Sequence, residues 1–198
     1  MGVSVMPENG RKLVLASASP RRSYLLNELG VAFEIEARHA EEHYPEHLER
    51  EQIPLHLAAL KSAAFLEHEL EDGRIILTAD TIVWVNGHVL NKPEHDMDAK
   101  RMLRILSGSM HEVYSAIQLR SKDQVILDFD RTEVYFRELT DAEIDHYVGT
   151  FHPLDKAGAY GIQEWIGYIG IERINGCYFN VMGLPLRKVY NALQRMQP

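Results

Sequence analysis

The chain has 198 residues, of which 45% are hydrophobic and 25% charged, with one cysteine and a formal net charge of −8. At this length a folded chain buries roughly 70% of the surface that its unfolded form exposes, so a core can form without disulfides. The acidic charge balance argues against a nucleic-acid or anionic-membrane partner, because such partners select a broad basic surface. Any anionic ligand therefore needs a local group of cations.

The sequence carries no pattern typical of membrane insertion or secretion. No run of residues approaches the ~18 consecutive apolar residues of a membrane span. The stretch Leu13–Ala18, which follows Arg11 and Lys12, is shorter than the ~7 to 15 apolar residues at the centre of a signal peptide. We therefore expect a cytoplasmic protein in which an N-terminal tail, residues 1–11, precedes one domain over residues 12–198.

Apolar periodicity and turn residues predict alternating strands and helices along the chain. Lys12–Ser17 is typical of a buried strand, and Pro20–Leu29 of a helix with Ser19 at its N-cap and Gly30 at its end. This interleaving predicts an α/β protein with a mixed sheet. The further predicted elements are a strand over 31–37, a helix over 55–70, a strand over 75–79, a hairpin over 82–90 around Asn86-Gly87, a helix over 96–106, strands over 112–119 and 125–136, a helix over 141–148, a Gly-rich segment over 156–170, a strand that ends at the turn Asn175-Gly176, and a final helix from Pro185.

The segment Ser17–Arg22 places two arginines, Arg21 and Arg22, in the first turn of the first predicted helix. Cations there oppose the positive end of the helix dipole, at a cost of ~0.3 to 1 kcal/mol each. A bound anion would remove this conflict, because backbone N–H groups, hydroxyls and guanidinium groups converge at that point. The segment is either a phosphate site or a solvated basic turn.

Lys61 is an unusual residue for its position, because its helical neighbours are apolar. Those neighbours, three and four residues away on either side, are Leu57, Ala58, Ala64 and Phe65. The lysine therefore lies on the side of the helix that faces the core. Its ammonium either extends outward to solvent or meets a fixed anion.

Asp80-Thr81 follows the predicted strand over 75–79, so we expect the Asp80 carboxylate at the carboxyl end of that strand. α/β proteins bind ligands at such ends. An aspartate there can hold a divalent cation or accept a proton from water, and the alternative is a turn-forming residue. Lys92 precedes Pro93, which restricts the lysine to extended geometry.

The string from His39 to His43, with Glu41 and Glu42 between, matches an inverted zinc-peptidase motif. That motif needs a helix that places both histidines on one face. We expect no helix here, because a strand is predicted just before the string and Tyr44 precedes Pro45, where helical geometry is disfavoured.

Taken together, these strings resemble the Maf family of nucleoside triphosphate pyrophosphatases. The resemblance extends from about Lys12 to Leu193, and the sequence departs from the family pattern at Asn91 and at Glu164-Trp165. The matching segments are Leu15–Arg22 with Leu25-Leu26, Ala79–Thr81 with Lys92-Pro93, Leu103–Gly108 with His111 and Val113, Asp155–Gln163, and Asn180–Pro185.

The resemblance implies a Maf/Ham1-like fold, with a mixed elongated sheet, flanking helices and two lobes around a cleft. It implies that residues 12–198 form a single Maf-like catalytic domain. The implied reaction is hydrolysis of a nucleoside triphosphate between its α- and β-phosphates with Mg²⁺ or Mn²⁺, a house-cleaning role for the nucleotide pool. A homodimer is left open as the assembly state.

The resemblance also implies roles for individual residues. Asp80 would be the catalytic base and, with Glu42, would hold the metal, Glu41 being the alternative to Glu42. Asp155 and Lys156 match the family without an assigned role. The residues that would bind phosphates are Ser17, Arg21, Arg22, Lys61 and Lys92.

Arg21, Thr81 and Gln163 resemble the family branch that acts on dTTP and UTP. The Gln163 carboxamide offers an acceptor and two donors, which suit the O4 and N3–H edge of uracil or thymine. The branch that acts on 7-methyl-GTP has Glu near this position, so the adjacent Glu164 keeps that substrate as an alternative. A second alternative is a nucleotide-binding regulator of cell division without catalysis.

Overall fold

The computed structural model describes residues 11–196, and it confirms the α/β class. Strands and helices alternate through most of this part of the chain. In chain order the elements are β1 Lys12–Leu15, α1 Pro20–Glu28, β2 Phe33–Ile35, α2 Gln52–Ala63, β3 Arg74–Val85, β4 His88–Leu90, α3 Asp96–Leu106, β5 Met110–Arg120, β6 Val125–Phe136, α4 Asp141–Phe151, α5 Trp165–Gly170, β7 Ile171–Asn175, α6 Tyr178–Met182 and α7 Leu186–Arg195, with 3₁₀ turns at Glu67–Leu70 and Ala157–Ala159.

The sheet is mixed, as predicted. Across residues 11–196 its seven strands take the order β2-β1-β3-β5-β6-β7, with β4 paired to β3. β1 pairs in parallel with both β2 and β3, whereas β4 is antiparallel to β3 and β7 is antiparallel to β6. β1 and β3 have buried apolar residues in succession, as expected where both faces of a sheet are covered, whereas the edge strand β2 is largely exposed.

The described chain divides into two compact units, which agree in number with the two predicted lobes. The first unit comprises residues 11–80, 115–130 and 183–196, and the second comprises 81–114 and 131–182. In the first unit Val14, Phe65, Leu70 and Ile76 form a buried apolar cluster. In the second unit α3 packs against α4. The prediction of one domain over residues 12–198 stays a prediction.

The prediction that Asp80 ends a strand is wrong. β3 runs through Asp80 and Thr81 without a break, from Arg74 to Val85. All side chains from Ile75 to Asp80 are buried, and so are those from Ile82 to Val85. Apolar packing on both sides of the Asp80-Thr81 dipeptide therefore keeps it in the strand, although aspartate alone disfavours strands.

The prediction of one helix over 55–70 is also wrong. α2 begins earlier, at Gln52, because Pro54 is tolerated in the first turn of a helix. It ends at Ala63, and a separate 3₁₀ turn covers Glu67–Leu70. Arg120 donates from Nη1 to the carbonyls of Ser62 at 3.0 Å and Phe65 at 2.9 Å, so a side chain satisfies carbonyls at the helix end, where the Ser62 carbonyl also accepts from the Phe65 N–H.

Several predicted ends of elements are confirmed. Gly30 follows α1 with a φ of +74°, the left-handed geometry that favours glycine. The capping box of α4 forms, because Thr140 Oγ1 accepts from the Glu143 N–H and the Glu143 carboxylate accepts from the Thr140 N–H. The short helices α5 and α6 were not predicted, since five or six residues are too few to show a helical period.

The ends of the described chain and the His-rich segment bear on three further predictions. Of the predicted tail 1–11, all but Arg11 lies outside the described residues, and Arg11 donates from Nη1 to the Met196 carbonyl at 2.6 Å. No helix covers His39–His43, so the geometry of a zinc peptidase is absent there. Between residues 11 and 196, every helix is too short or too polar to cross a bilayer.

Candidate active site

Lys61 holds two carboxylates together in the first unit. α2 directs its ammonium to Asp80, and Nζ lies 2.5 Å from Asp80 Oδ1 and 3.1 Å from Glu42 Oε1. Asp80 is only 6% exposed in β3, whereas Glu42 is exposed on the loop after β2. Of the two alternatives for Lys61, the structure shows the fixed anion.

The environment of Asp80 changes its proton affinity. Burial raises the pKa of the Asp80 carboxyl above its ordinary value, and the positive charges of Lys61 and Arg22 oppose that rise only in part. The negative charge of Glu42 adds to the rise. A carboxylate with a raised pKa accepts a proton from water more readily than an exposed aspartate does.

Arg22 and Ser17 lie at the start of α1 in the same unit. Arg22 donates from Nε to the Gly183 carbonyl at 2.9 Å and from Nη1 to Ser17 Oγ at 3.3 Å. Ser19 occupies the predicted N-cap position without a side-chain cap hydrogen bond, and the first turn, which also contains Arg21, has no acidic residue. These features agree with an anion site at this helix end.

The charges around Arg22 connect it to the carboxylates. Asp80 and Glu42 both act on the pKa of Arg22 through their negative charge, in opposition to burial, which lowers it. The structure therefore brings five of the predicted site residues into one neighbourhood of the first unit. They are Ser17, Arg22, Glu42, Lys61 and Asp80.

The carboxylates of Asp80 and Glu42 are donors of the kind that Mg²⁺ takes. Asp80 and Glu42 meet at one ammonium, so a cation already occupies the space between their carboxylates. Of the two candidates, Glu42 is the glutamate at Lys61, while Glu41 offers its backbone carbonyl to the His43 N–H. No group of three or more potential ligands exists within residues 11–196. Mg²⁺ takes one or two carboxylates, waters and substrate phosphates as its usual ligands, so two carboxylates are sufficient.

Of the other predicted site residues, Arg21 lies in α1 of the first unit, and the remaining three belong to the second unit. Thr81 follows Asp80 in β3, and Lys92 is exposed just after β4. Gln163 lies between Ile162 and α5, and its side-chain Oε1 is buried without a hydrogen-bond partner within residues 11–196. Such an unsatisfied buried acceptor is costly unless a ligand or water supplies a donor.

A hydrogen-bonded cluster surrounds the residue that follows Gln163. The Glu164 carboxylate accepts from the Tyr147 hydroxyl and from Lys156 Nζ, the latter at 3.1 Å. Lys156 also contacts Asp155 Oδ1 at 2.7 Å. The Tyr147 hydroxyl in turn accepts from the Gly161 N–H at 3.1 Å. Tyr147 was not predicted from the sequence as a site residue, although a tyrosine on the buried face of a helix generally needs a polar partner.

Comparisons with known proteins place these motifs in one family. The family model described as "Maf-like protein" matches residues 12–196. A protein of Phocaeicola vulgatus named dTTP/UTP pyrophosphatase is 46% identical over 186 residues, which cover 93% of this chain and 96% of that protein.

Two further relatives bear the same name. The protein of Christiangramia forsetii is 45% identical over 186 residues, with 93% of this chain and 94% of that protein covered. The protein of Porphyromonas gingivalis is 44% identical over 185 residues, with 92% and 93% covered. Among solved structures, the Staphylococcus aureus Ham1 protein aligns with a TM-score of 0.48 and 13% identity, over 64% of this chain and 72% of that one. Because the family model matches nearly the full length of the chain, the chain belongs to the Maf family.

Proposed function

We propose that this protein is a metal-dependent nucleoside triphosphate pyrophosphatase that converts dTTP and UTP to the monophosphate and pyrophosphate. The observation that carries the proposal is the buried Asp80 carboxylate at Lys61, with Glu42 and Arg22 beside it. The relatives named dTTP/UTP pyrophosphatase, at 44 to 46% identity, support the choice of substrate. The corresponding role is removal of unwanted nucleotides from the pool.

Asp80 acts as the general base in this proposal. A water molecule attacks the α-phosphorus, its proton passes to the Asp80 carboxylate, and the anhydride bond to the β-phosphate breaks so that pyrophosphate leaves. The raised pKa of Asp80 suits this transfer. A divalent cation held by Glu42 and Asp80 would supply charge neutralisation for the phosphates.

The cationic side chains bind and orient the triphosphate. Arg22 and Lys61 are the cations whose charges act on Asp80, and Ser17, Arg21 and Lys92 complete the proposed phosphate ligands. These cations stabilise the charge that develops on the phosphate oxygens. These cations act on the phosphates at short range. The net charge of −8 does not prevent binding, because exposed charges more than about 8 Å away are screened by salt.

Gln163 recognises the base in this proposal, and Thr81 and Arg21 accompany it as specificity residues. The unpaired buried Oε1 of Gln163 is an acceptor for the N3–H of uracil or thymine. We further propose a cytoplasmic enzyme with no nucleic-acid or membrane partner, on the basis of its acidic charge and its nucleotide substrate. A homodimer remains an option for its assembly.

The proposal is tested with a panel of nucleoside triphosphates in Mg²⁺, with the products separated. We expect monophosphate and pyrophosphate, with dTTP and UTP turned over well above ATP, GTP and 7-methyl-GTP. Asp80→Asn is expected to lower kcat by ~10² to 10⁴, as for loss of a general base or metal ligand. The matched control, Asp123→Asn in an exposed turn of the same unit, should keep the rate of the parent.

Each part of the proposal has an outcome that contradicts it. Release of single phosphates, or no turnover with any nucleotide, would contradict the reaction and favour a regulator that only binds nucleotides. Better turnover of 7-methyl-GTP than of dTTP would contradict the substrate and leave the phosphate chemistry in place. Near-normal turnover by Asp80→Asn would remove Asp80 from the mechanism.

A further inference from the structure

Two neighbouring polar side chains fold back over Gly161 in the second unit. The position that a Cβ would take on Gly161 is 2.8 Å from Cδ of Glu164, 3.0 Å from its Oε2 and 3.1 Å from Nε2 of Gln163. The Glu164 carboxylate and the nitrogen end of the Gln163 amide therefore approach the same point. Only a glycine leaves room for both of them there.

Glu164 is held firmly in this place. The Tyr147 hydroxyl donates to its Oε2, and Lys156 Nζ approaches its Oε1 at 3.1 Å. Tyr147 is itself fixed, because it is fully buried in α4 and accepts from the Gly161 N–H. A carboxylate has about four acceptor positions, so these two donors leave capacity for a third.

The Glu164 carboxylate lies close enough to the Gln163 amide to influence which way that amide is turned. The two ends of an amide are nearly equal in size, so the neighbouring charges select its orientation. In the observed orientation Nε2 lies on the Gly161 side of the amide, where the Glu164 carboxylate also lies, so a donor is near a negative group. The reverse orientation would place the amide oxygen next to the carboxylate oxygens, which is repulsive. Oε1 is thereby turned away, and it is this atom that is buried without a partner within residues 11–196.

We propose that Glu164, held by Tyr147 and Lys156, is a positioning residue that presents the Gln163 oxygen to the ring N–H of a pyrimidine base. This inference rests on the proposed function, in which the base binds at Gln163. Uracil and thymine carry a donor at N3, whereas cytosine carries an acceptor at the same atom. A fixed acceptor in the protein therefore selects the first two bases against cytosine.

The test measures kcat and KM for dTTP and dCTP in the parent and in Glu164→Gln. The new amide matches the carboxylate in shape but can donate to Gln163 Oε1, so the reversed orientation of Gln163 is no longer repulsive. We expect the dTTP-to-dCTP ratio of kcat/KM to fall by about tenfold. The change should lie in KM, with a rise for dTTP and a fall for dCTP, and kcat should stay within about twofold.

Two further variants separate positioning from simple structural support. Glu172→Gln, at an exposed position in β7 of the same unit, should keep the parent's ratio. Tyr147→Phe removes one donor to Glu164 and leaves the carboxylate in place, so we expect a shift in the same direction but smaller, about threefold. If Glu164→Gln does not fold, Tyr147→Phe carries the test.

The inference is overturned if Glu164→Gln loses activity on both nucleotides equally, or keeps the parent's ratio. It is also overturned if both variants fail to fold, because the cluster then serves stability alone. In these cases the proposed function stands as long as the parent prefers dTTP. If the parent hydrolyses neither nucleotide, the same ratio is measured by calorimetry with the α,β-imido analogues of dUTP and dCTP, which tests the orientation of Gln163 without turnover.

Discussion

Asp80 and Lys61 form a pair whose members depend on each other unequally. Asp80 is buried in β3, and its closest cation is Lys61 at 2.5 Å. Lys61 has a second carboxylate, Glu42, at 3.1 Å, and Glu42 is half-exposed. Removal of Lys61 therefore leaves the buried Asp80 carboxylate without its closest cation. Removal of the Asp80 charge leaves Lys61 still paired with Glu42.

We predict that Lys61→Met lowers the free energy of unfolding by about 3 kcal/mol, because Asp80 then lies buried without its closest cation. Asp80→Asn should not lower it, because burial raises the pKa of Asp80 and its ionised form is itself unfavourable. The double variant should recover most of the loss. Urea unfolding of the four proteins at neutral pH measures this cycle, and equal losses for the two single variants would contradict it.

The loop between β2 and α2, which carries Glu42, is tied to the end of α2 by Arg38. Arg38 donates from Nη1 to the Ala64 carbonyl and to Glu69 Oε2, both at 2.9 Å, and its guanidinium lies 3.9 Å from the centre of the Phe65 ring. It also pairs with Glu36 next to β2. One side chain thus connects the start of this loop to the helix that carries Lys61.

The Arg38 hydrogen bond lowers the pKa of Glu69 from 4.5 to about 2, with a smaller contribution from the Leu66 N–H. A carboxyl with a lowered pKa in the folded state stabilises the fold above its unfolded pKa, and loses that effect as the pH falls toward the folded value. The contribution is therefore present above about pH 4.5 and declines below it.

We predict that Arg38→Met has a lower thermal midpoint than the parent at pH 7. The difference between the two midpoints should become smaller as the pH falls from about 4.5 toward 2. Thermal scans between pH 7 and pH 3 measure the difference. The matched control is Lys122→Met, which removes a cation that lies 3.6 Å from Glu71 in an exposed pair. It should change the midpoint little at any pH, and a constant Arg38 difference across the range would refute the linkage.

The described residues of the protein offer a divalent cation two carboxylates and no larger group of ligands. A site of this size binds Mg²⁺ weakly until substrate phosphates add their oxygens. Structural metal sites behave differently, because their binding energy is part of the folding energy. The fold should therefore not depend on the metal, whereas the proposed reaction should.

We predict that excess EDTA stops dTTP hydrolysis, that added Mg²⁺ restores it, and that neither reagent moves the thermal midpoint of the free protein. Calorimetry should show weak Mg²⁺ binding to the protein alone and tighter binding in the presence of the α,β-imido analogue of dUTP. A clear drop of the midpoint in EDTA would indicate a structural metal, and full activity in EDTA would contradict the proposed metal requirement.

The sequence was sufficient for the class of the fold and for most of its elements. The correct predictions rest on local signals, in which the residues that determine an element lie within a few positions of one another in the chain. These signals are the apolar periodicity, the turn Asn86-Gly87, Gly30 after α1 and the Thr140–Glu143 capping box. The family also followed from the sequence, because its motifs keep their order from about residue 12 onward. The predicted end of α2 was wrong because a residue distant in the chain determines it. Arg120 donates hydrogen bonds to the Ser62 and Phe65 carbonyls at that end.

Contacts between residues far apart in the chain required the folded structure. Lys61 and Asp80 are 19 residues apart, and Arg22 reaches a carbonyl 161 residues away. The sequence left open whether Lys61 meets an anion and what Glu164 contacts, and it did not indicate that Glu42 lies at Lys61. No local pattern encodes these answers, because each depends on which elements packing brings together. Burial on both sides of Asp80 likewise keeps it within a strand and raises its pKa, and only the packed sheet supplies that burial.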